Sequence, residues 1–314
     1  MNAANDVNDA DKAQGADGPR EARVHVDTAR IAANIAAFHA RAAVPVRAHI
    51  KGHRTLEIAR MQREAGARGI AVTRPQLARH YVTGGFTDLV AAWPWRDPRI
   101  LDPFAELAAD CALSVHLDDV AAVESLDAAA RRYGTRAAVR VQVDGGTDVT
   151  AVAEAVDRAR NLSLEGIVGY LDIETPEQAT RRRELARTLA DSMVETAERL
   201  RADGHPCDTV ALGGTPCVDT LVPGITELGA GAYPLGDAGL VALGVLTEED
   251  IAVRVDPGGM SLLAECGQPW HPAPSVRRPD GALVPTHICP LLLTVTELHT
   301  DTGERWPVLA PVTA

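Results

Sequence analysis

The sequence is poor in lysine, in aromatic side chains and in long apolar runs. Its 31 basic residues include only two lysines and are outnumbered by 43 acidic ones, which gives a net charge of −12. Such a chain lacks the basic surface that tracks a phosphate backbone, so we expect no nucleic-acid partner. No apolar run approaches the roughly 18 to 20 residues that a membrane helix needs, and the first residues are too acidic and polar for a signal peptide. We therefore expect a cytoplasmic protein without a membrane partner.

Cysteine is also sparse. The five thiols belong to Cys111, Cys207, Cys217, Cys266 and Cys289, and no two of them form a CxxC pair. An odd and scattered set of this kind does not build a disulfide framework. We expect reduced thiols, of which one or two at most take part in chemistry.

The two lysines are Lys12, near the N-terminus, and Lys51. Wherever positive charge alone is needed, this chain uses arginine. Lysine differs from arginine in offering an amine that loses its proton readily and attacks a carbonyl group. The scarcity therefore favours a Schiff-base role for Lys51, although a single lysine could also survive by chance under a strong arginine bias.

The chain of 314 residues, 46% of them hydrophobic, is long enough for one barrel with an appendage. Residues 1–22 have the composition of a disordered tail. Apolar runs of the β type then alternate with helical stretches. The eight runs are 44–50, 69–72, 88–92, 113–117, 137–143, 164–170, 209–212 and 225–228. This alternation favours a closed (β/α)₈ TIM-type barrel, of the α/β class, over an open sheet.

The helical stretches are expected at 55–65, 74–83, 98–109, 120–133, 149–161 and 176–203. We assign residues 23–243 to the barrel domain, with the short run 23–27 also compatible with a strand of the second domain. From residue 244 to 314 the pattern changes to short alternating runs at 251–255, 261–265, 291–298 and 306–312. These runs predict a small C-terminal all-β domain.

Lys51 directly follows the first barrel strand. Catalytic groups of TIM barrels lie at the C-terminal ends of the strands, so this position suits a covalent lysine. The alternative is a lysine at the rim whose amine reaches out to water.

Two glycine-rich segments follow the last two barrel strands. Gly213, Gly214 and Thr215 come after the seventh strand, and residues 229–233 come after the eighth. Glycine lets backbone N–H groups approach an anion, and these loops often bind phosphate in barrels, although each run alone could be a simple turn. Together with Lys51 they describe a pocket for pyridoxal phosphate (PLP).

His287 and Cys289 lie two residues apart in the expected β domain. On a strand their side chains would point to the same face. An imidazole and a thiolate form half of a metal site that prefers Zn²⁺ to Mg²⁺ or Ca²⁺. The alternative is a pair of half-buried strand residues.

In combination these residues resemble the fold-type III PLP enzymes of the D-threonine aldolase and D-serine dehydratase group, related to alanine racemase. The segment Arg-Ala-His-Ile-Lys-Gly-His-Arg at 47–54 is similar to the family signature Arg-Pro-His-x-Lys-Thr-His-Lys. His-Ile-Cys-Pro at 287–290 and Arg-Trp-Pro-Val at 305–308 match two further motifs. The glycine segments resemble the phosphate-binding segments of the family.

The resemblance implies PLP on Lys51 and a divalent metal, Zn²⁺ or alternatively Mn²⁺, at His287 and Cys289. It implies a cofactor site formed by His49, Lys51, Tyr170, Gly213, Gly214, Thr215, Gly231, Ala232 and Tyr233. It also implies a head-to-tail homodimer in which each β domain covers the barrel mouth of its partner.

The sequence departs from the family at two functional positions. Val149 stands where many relatives have an arginine, and the segment 171–174 lacks a histidine that many relatives place there. If that histidine is the base that deprotonates the substrate hydroxyl, then His53 or a metal-bound water has to replace it.

The resulting hypothesis is a metal-assisted PLP lyase acting on a small-molecule D-3-hydroxy amino acid. Cleavage of Cα–Cβ would give glycine and an aldehyde, whereas dehydration would give a 2-oxo acid and ammonia. A racemase or epimerase is an alternative, but the four tyrosines all precede residue 244, and alanine racemases take a second base from a C-terminal tyrosine. A non-catalytic PLP-binding protein is a further alternative, against which the C-terminal domain speaks.

Overall fold

The computed structural model describes residues 22–309, so the expected tail lies almost entirely outside the described residues. Fourteen strands and ten α-helices are found in this range. The strands are β1 (Val24–Val26), β2 (Val46–His49), β3 (Ile70–Val72), β4 (Asp88–Ala91), β5 (Ala112–Leu117), β6 (Ala137–Gln142), β7 (Leu162–Tyr170), β8 (Thr209–Gly213), β9 (Glu227–Ala230), β10 (Val253–Val255), β11 (Ser275–Arg277), β12 (Leu283–Pro285), β13 (Glu297–Thr300) and β14 (Arg305–Pro307).

The helices follow the strands in alternation along most of the chain. They are α1 (Thr28–Arg41), α2 (Leu56–Glu64), α3 (Pro75–Thr83), α4 (Pro98–Leu107), α5 (Val120–Tyr133), α6 (Val149–Arg158), α7 (Pro176–Thr180), α8 (Arg182–Ala202), α9 (Ala238–Ala242) and α10 (Ile288–Leu291).

Strands β2 to β9 form a closed parallel barrel, which confirms the predicted fold class. The barrel closes where β2 pairs with β9, with Val46 opposite Leu228 and Ala48 opposite Ala230. Parallel strands are covered on both faces, so their residues read as nearly continuous apolar runs. This is why all eight strands could be located from the sequence.

The helix ends follow ordinary capping chemistry. The Asp27 side chain accepts a hydrogen bond from the Arg30 backbone N–H at the start of α1, whose Ile31, Ile35 and Phe38 are buried. Gly134 ends α5 with a φ of 67°, a left-handed conformation that glycine adopts without strain. The helix expected at 176–203 is interrupted at Arg181, which separates α7 from α8.

A second sheet has six strands in the order β11-β12-β10-β1-β13-β14. Strand β1 precedes the barrel in sequence, yet it lies inside this sheet, antiparallel to β10 and parallel to β13. The chain therefore starts in the sheet, completes the barrel and returns to the sheet. Within residues 22–309 no helix is both long and apolar enough to cross a membrane.

Two of the expected C-terminal strands are wrong. Residues 261–265 lie mainly in a 3₁₀ turn, Met260–Leu263, and the run 291–298 begins at the end of α10 and reaches a strand only at Glu297. Pro290 has no N–H for a strand ladder but is tolerated in the first turn of a helix. In the run expected at 306–312, the observed strand is Arg305–Pro307, and residues 310–312 lie outside the described range.

Candidate active site

Lys51 lies at the C-terminal end of β2, in the 3₁₀ turn Ile50–Gly52. Gly52 is packed so closely against the Gly231 carbonyl that a Cβ atom would collide with it. The Lys51 side chain borders two adjoining cavities of about 200 Å³ and about 390 Å³. We call them the upper cavity, which reaches the C-terminal sheet region, and the inner cavity, which reaches into the barrel. Six residues line both: His49, Lys51, Tyr170, Asp172, Gly229 and His287.

The loops after β8 and β9 form a cradle in the upper cavity. The Thr215 hydroxyl accepts hydrogen bonds from the backbone N–H groups of Gly231 and Ala232, each at 3.3 Å. Gly214 has a φ of 123°, and a Cβ on Gly231 would lie 2.7 Å from the His49 carbonyl oxygen. Only glycine fits these two positions. The two segments that the sequence singled out therefore meet beside Lys51.

Tyr170 lies beneath the amine of Lys51, with Nζ 5.2 Å from the ring centroid. The pKa of Lys51 is raised, chiefly by attraction to the ionised Tyr170, while burial lowers it. The Lys51 charge lowers the pKa of Tyr170, but desolvation around its hydroxyl and nearby acidic groups raise it overall, even though much of the ring is exposed. Even a free tyrosine ionises only near pH 10, so the phenol of Tyr170 is neutral at pH 7. At that pH Tyr170 carries no negative charge to attract the ammonium of Lys51. Burial still lowers the pKa of Lys51 at that pH, and the nearby carboxylate of Asp172 still raises it.

His49 packs against Gly229 at the boundary of the two cavities. Burial, and then the positive charge of Lys51, lower the pKa of its imidazole to about 3. The ring is therefore neutral at pH 7. It offers a flat, uncharged surface next to the amine rather than a competing cation.

His287 and Cys289 both line the upper cavity with Lys51. They do not lie on a strand as predicted, because His287 is the N-cap of α10 and Cys289 is inside that helix. Burial lowers the pKa of His287 to about 4 and raises that of Cys289 to about 11. A neutral imidazole is ready to bind a metal, whereas the thiol has to lose its proton on binding. Within residues 22–309 no three His, Cys, Asp or Glu side chains form a cluster able to hold a metal ion.

The structure does not bring two of the predicted site residues to the cavities. His53 is fully buried, its Nδ1 accepts from the Thr55 N–H at 3.2 Å, and its Nε2 lies 2.9 Å from Gln62 Oε1. Burial lowers the pKa of His53 to about 4. Because both ring nitrogens are used in the core and neither cavity is lined by this ring, the geometry does not support His53 as the replacement base.

Tyr233 also faces away from the cavities. Its ring stacks on Phe38 with centroids 4.1 Å apart, and its hydroxyl accepts a hydrogen bond from Gln62 Nε2 at 2.8 Å. The neighbouring Ala232 lines the upper cavity instead. Gly213 lines only the inner cavity. The remaining predicted residues, His49, Lys51, Tyr170, Gly214, Thr215, Gly231 and Ala232, all line the upper cavity.

Sequence reasoning missed Asp237, which joins the barrel to the segment that carries His287 and Cys289. Its Oδ1 accepts from the Leu240 N–H at 2.8 Å and its Oδ2 from the Ile288 N–H at 3.1 Å. Burial raises the pKa of this carboxyl to about 7. The available signal was an Asp directly before a short helix, the usual N-cap pattern.

Comparison with known proteins agrees with this geometry. Residues 26–232 match the family model described as alanine racemase, N-terminal domain. A D-threo-3-hydroxyaspartate dehydratase of Delftia sp. is 31% identical over 73% of this chain and 65% of its own length. A D-threonine aldolase of Arthrobacter sp. is 30% identical over 78% of this chain and 73% of its own length. The chain thus spans about two thirds to three quarters of these relatives.

Solved structures share the fold. The Delftia dehydratase superposes with a TM-score of 0.78 at 24% identity, covering 92% of this chain and 97% of the other. D-threonine aldolase from Filomicrobium marinum gives 0.75 at 21% identity, covering 91% and 94%. The dehydratase is also known as a cysteine-to-alanine variant in a metal-free form. With a closed barrel, a lysine after its first strand and a family match across two thirds of its length, this chain belongs to the fold-type III family that carries the alanine racemase N-terminal domain, as the sequence motifs predicted.

Proposed function

We propose that this protein is a PLP-dependent lyase that acts on D-3-hydroxy amino acids. The observation that carries the proposal is the position of Lys51, the single lysine beyond the N-terminal segment, at the boundary of two cavities and beside a glycine cradle. Relatives named as dehydratases and aldolases of D-3-hydroxy amino acids support the same class of reaction.

The residues of the upper cavity fit PLP. Gly214 and Gly231 leave the close backbone approach that a phosphate requires. The N–H groups of Gly231 and Ala232 would exchange their bonds to the Thr215 hydroxyl for bonds to that phosphate. Lys51 supplies the amine, and Tyr170 and His49 line the same cavity next to it with uncharged rings. Bound PLP would supply an electron sink for the bonds at the substrate Cα.

The chain itself would perform three tasks. Lys51 would exchange for the substrate amine and then hold or move the proton at Cα. The cradle around Thr215 would fix the phosphate, and thereby the orientation of the reacting bonds. Trp93, whose ring is 54% exposed at the rim of the inner cavity, would restrict the entry of water once substrate is present.

His287 and Cys289 are the side chains that would hold a divalent metal, with Zn²⁺ preferred because it accepts imidazole and thiolate together. The metal would supply a Lewis acid near the 3-hydroxyl group. We further propose a homodimer, because the exposed rings of Trp93 and Tyr170 at the mouth are suited to coverage by a second subunit. Gel filtration of an active monomer would contradict the shared site.

The proposal is tested on purified holoenzyme by its visible spectrum, by borohydride reduction and by mass spectrometry of the peptides. We expect a yellow protein whose pyridoxyl adduct maps to Lys51. Incubation with D-threonine should then release either glycine and acetaldehyde or 2-oxobutyrate and ammonia. A protein that stays colourless with added PLP, or that only racemises amino acids, would overturn the proposed function.

The metal assignment has its own test in Cys289→Ala. We expect bound zinc, measured by plasma mass spectrometry, to fall several-fold together with turnover. Cys111→Ala is the matched control, since this thiol is bonded to the Leu107 carbonyl at 3.5 Å on the outside of the barrel. Equal zinc content in both variants would remove Cys289 from the site.

A further inference from the structure

Asp172 is a carboxylate that lines both cavities and has no assigned role. It follows β7 by two residues, at the same end of the barrel as Lys51. We find no hydrogen bond or ion pair between its side chain and another residue in the range 22–309. Its carboxylate is exposed at the rim, where a substrate could reach it.

The other carboxylates of the two cavities are already engaged. Asp237 accepts backbone N–H groups with both oxygens. Glu227 accepts from Arg47 at 2.9 Å and also pairs with Arg140. Of the acidic side chains that line either cavity in the described chain, Asp172 alone has no hydrogen-bond or ion-pair partner.

The cavity histidines are poor proton acceptors. Burial is the largest cause that lowers the pKa of His49 to about 3, and it lowers that of His116 well below its ordinary value. A group that holds a proton so weakly gives little driving force for its transfer. The third cavity histidine, His287, is a side chain that we assign to the metal. The two cavities thus contain one carboxylate that is free to accept a proton.

We propose that Asp172 accepts the proton of the substrate 3-hydroxyl group during Cα–Cβ cleavage. This inference rests on the proposed function and names the group that handles one proton of that reaction. It places the acid–base group two residues beyond the end of β7, in a segment that contains no histidine.

The hydroxyl proton passes to the carboxylate of Asp172, and the O–H electron pair forms the C=O bond of the departing aldehyde. The Cα–Cβ bond breaks, and its electron pair stays with Cα until Lys51 delivers a proton there and completes glycine. Asp172 then returns its proton to solvent across the open rim.

The surroundings of Asp172 agree with this task. Partial desolvation, followed by the negative charge of Glu174, raises the pKa of Asp172, while Lys51 lowers it. A raised pKa makes a carboxylate a better proton acceptor than an ordinary surface aspartate. Glu174 has no place in the lining of either cavity and serves as a matched control.

The experiment compares the holoenzyme with Asp172→Asn, Asp172→Glu and Glu174→Gln. Two reactions are measured, namely cleavage of D-threonine to glycine and acetaldehyde and exchange of the glycine Cα–H in deuterated water. Cleavage uses the hydroxyl proton, whereas exchange has no hydroxyl and depends on Lys51. The PLP absorption band and circular dichroism report cofactor loading and folding.

We expect Asp172→Asn to lower kcat for cleavage about 100-fold or more, while exchange stays within about threefold. Asp172→Glu should restore part of the cleavage. Glu174→Gln removes only the smaller of the two causes that raise the pKa of Asp172, so its cleavage should stay within about threefold of the wild type. Equal cleavage by Asp172→Asn, or a parallel loss of exchange, would overturn the inference. So would release of 2-oxobutyrate instead of acetaldehyde by the wild type. Absence of PLP, or of both reactions, in the wild type would instead refute the proposed function.

Discussion

Deep in the barrel, Arg140 donates to Glu165 at 2.8 Å and also pairs with Glu227, which accepts from Arg47 at 2.9 Å. At the mouth, Lys51 and Asp172 border the same inner cavity, and we find no ion-pair partner for either in residues 22–309. The charged side chains at the inner end of this cavity, its floor, thus pair with one another. Those at its open end, its mouth, have no ion-pair partner in the described range. The comparison separates two uses of charge in one barrel.

The physical reason is the cost of desolvation. A charge in the interior is tolerated only when paired and hydrogen-bonded, and removal of one partner leaves the other uncompensated. A charge at a partly open mouth keeps some water and remains available to a ligand. We therefore expect changes at the floor to alter stability and changes at the mouth to alter chemistry.

The largest effect is expected at the mouth for Lys51→Ala. Without the amine no Schiff base forms, so turnover should fall by more than about a thousandfold and the PLP absorption band should disappear. Stability to urea should stay within about 0.5 kcal/mol of the wild type, because no paired charge is lost. Lys51→Arg is the control for charge, and it should be equally inactive. A PLP absorption band at full strength in either variant would contradict the assignment of Lys51 as the Schiff-base lysine.

For the paired charges at the floor we expect a large change in stability. Glu227→Ala removes the shared partner of two buried guanidinium groups and should lower the free energy of unfolding by about 3–5 kcal/mol. The matched control is Glu174→Ala, an exposed carboxylate whose loss should cost within about 0.5 kcal/mol. Urea titrations of both variants measure the difference. A Glu227→Ala protein as stable as the control would show that the floor charges do not support the fold.

The pH dependence of stability sharpens the same point. Burial alone would raise the pKa of Glu227, but Arg47 and Arg140 hold it at about 2, below the ordinary value of 4.5. The unfolded chain therefore binds this proton first as the pH falls, so the stabilisation present above pH 4.5 is lost between 4.5 and 2. Glu227→Gln should have a flatter stability curve across that window. An unchanged slope would contradict the depressed pKa.

The sequence allowed the barrel to be predicted because its determinants are local. Eight buried strands read as apolar runs, and the position of Lys51 after the first of them placed the amine at the mouth. The glycines could be assigned because positions such as Gly231 exclude any side chain. These inferences need no knowledge of which residues meet across the fold.

The predictions were wrong at residues whose side-chain position is set by tertiary contacts. His53 shares a motif with Lys51, but it follows the 3₁₀ turn that contains Lys51, and its ring bonds to Gln62 in the core. Tyr233 lies two residues after the cradle glycine Gly231, yet its ring stacks on Phe38. His287 was assigned to a strand by alternation alone, whereas it caps a helix of four residues. Asp172 carries no motif, and only the shape of the cavity draws attention to it.

Asp237 shares one feature with the charges at the mouth and one with the charges at the floor. It borders the mouth, but its carboxylate is paired with backbone N–H groups. Asp237→Ala removes the N-cap of α9 and the acceptor for the Ile288 N–H. We expect a loss of about 1–2 kcal/mol, smaller than at Glu227, because backbone N–H groups carry only partial charge. Asp237→Asn, which keeps one acceptor oxygen for Leu240, should lose about half as much. Suppose instead that Asp237→Ala abolished turnover at unchanged stability. A carboxylate paired with backbone N–H groups would then behave like the unpaired carboxylate of Asp172. Pairing would no longer distinguish the charges that stabilise the fold from those that take part in the chemistry.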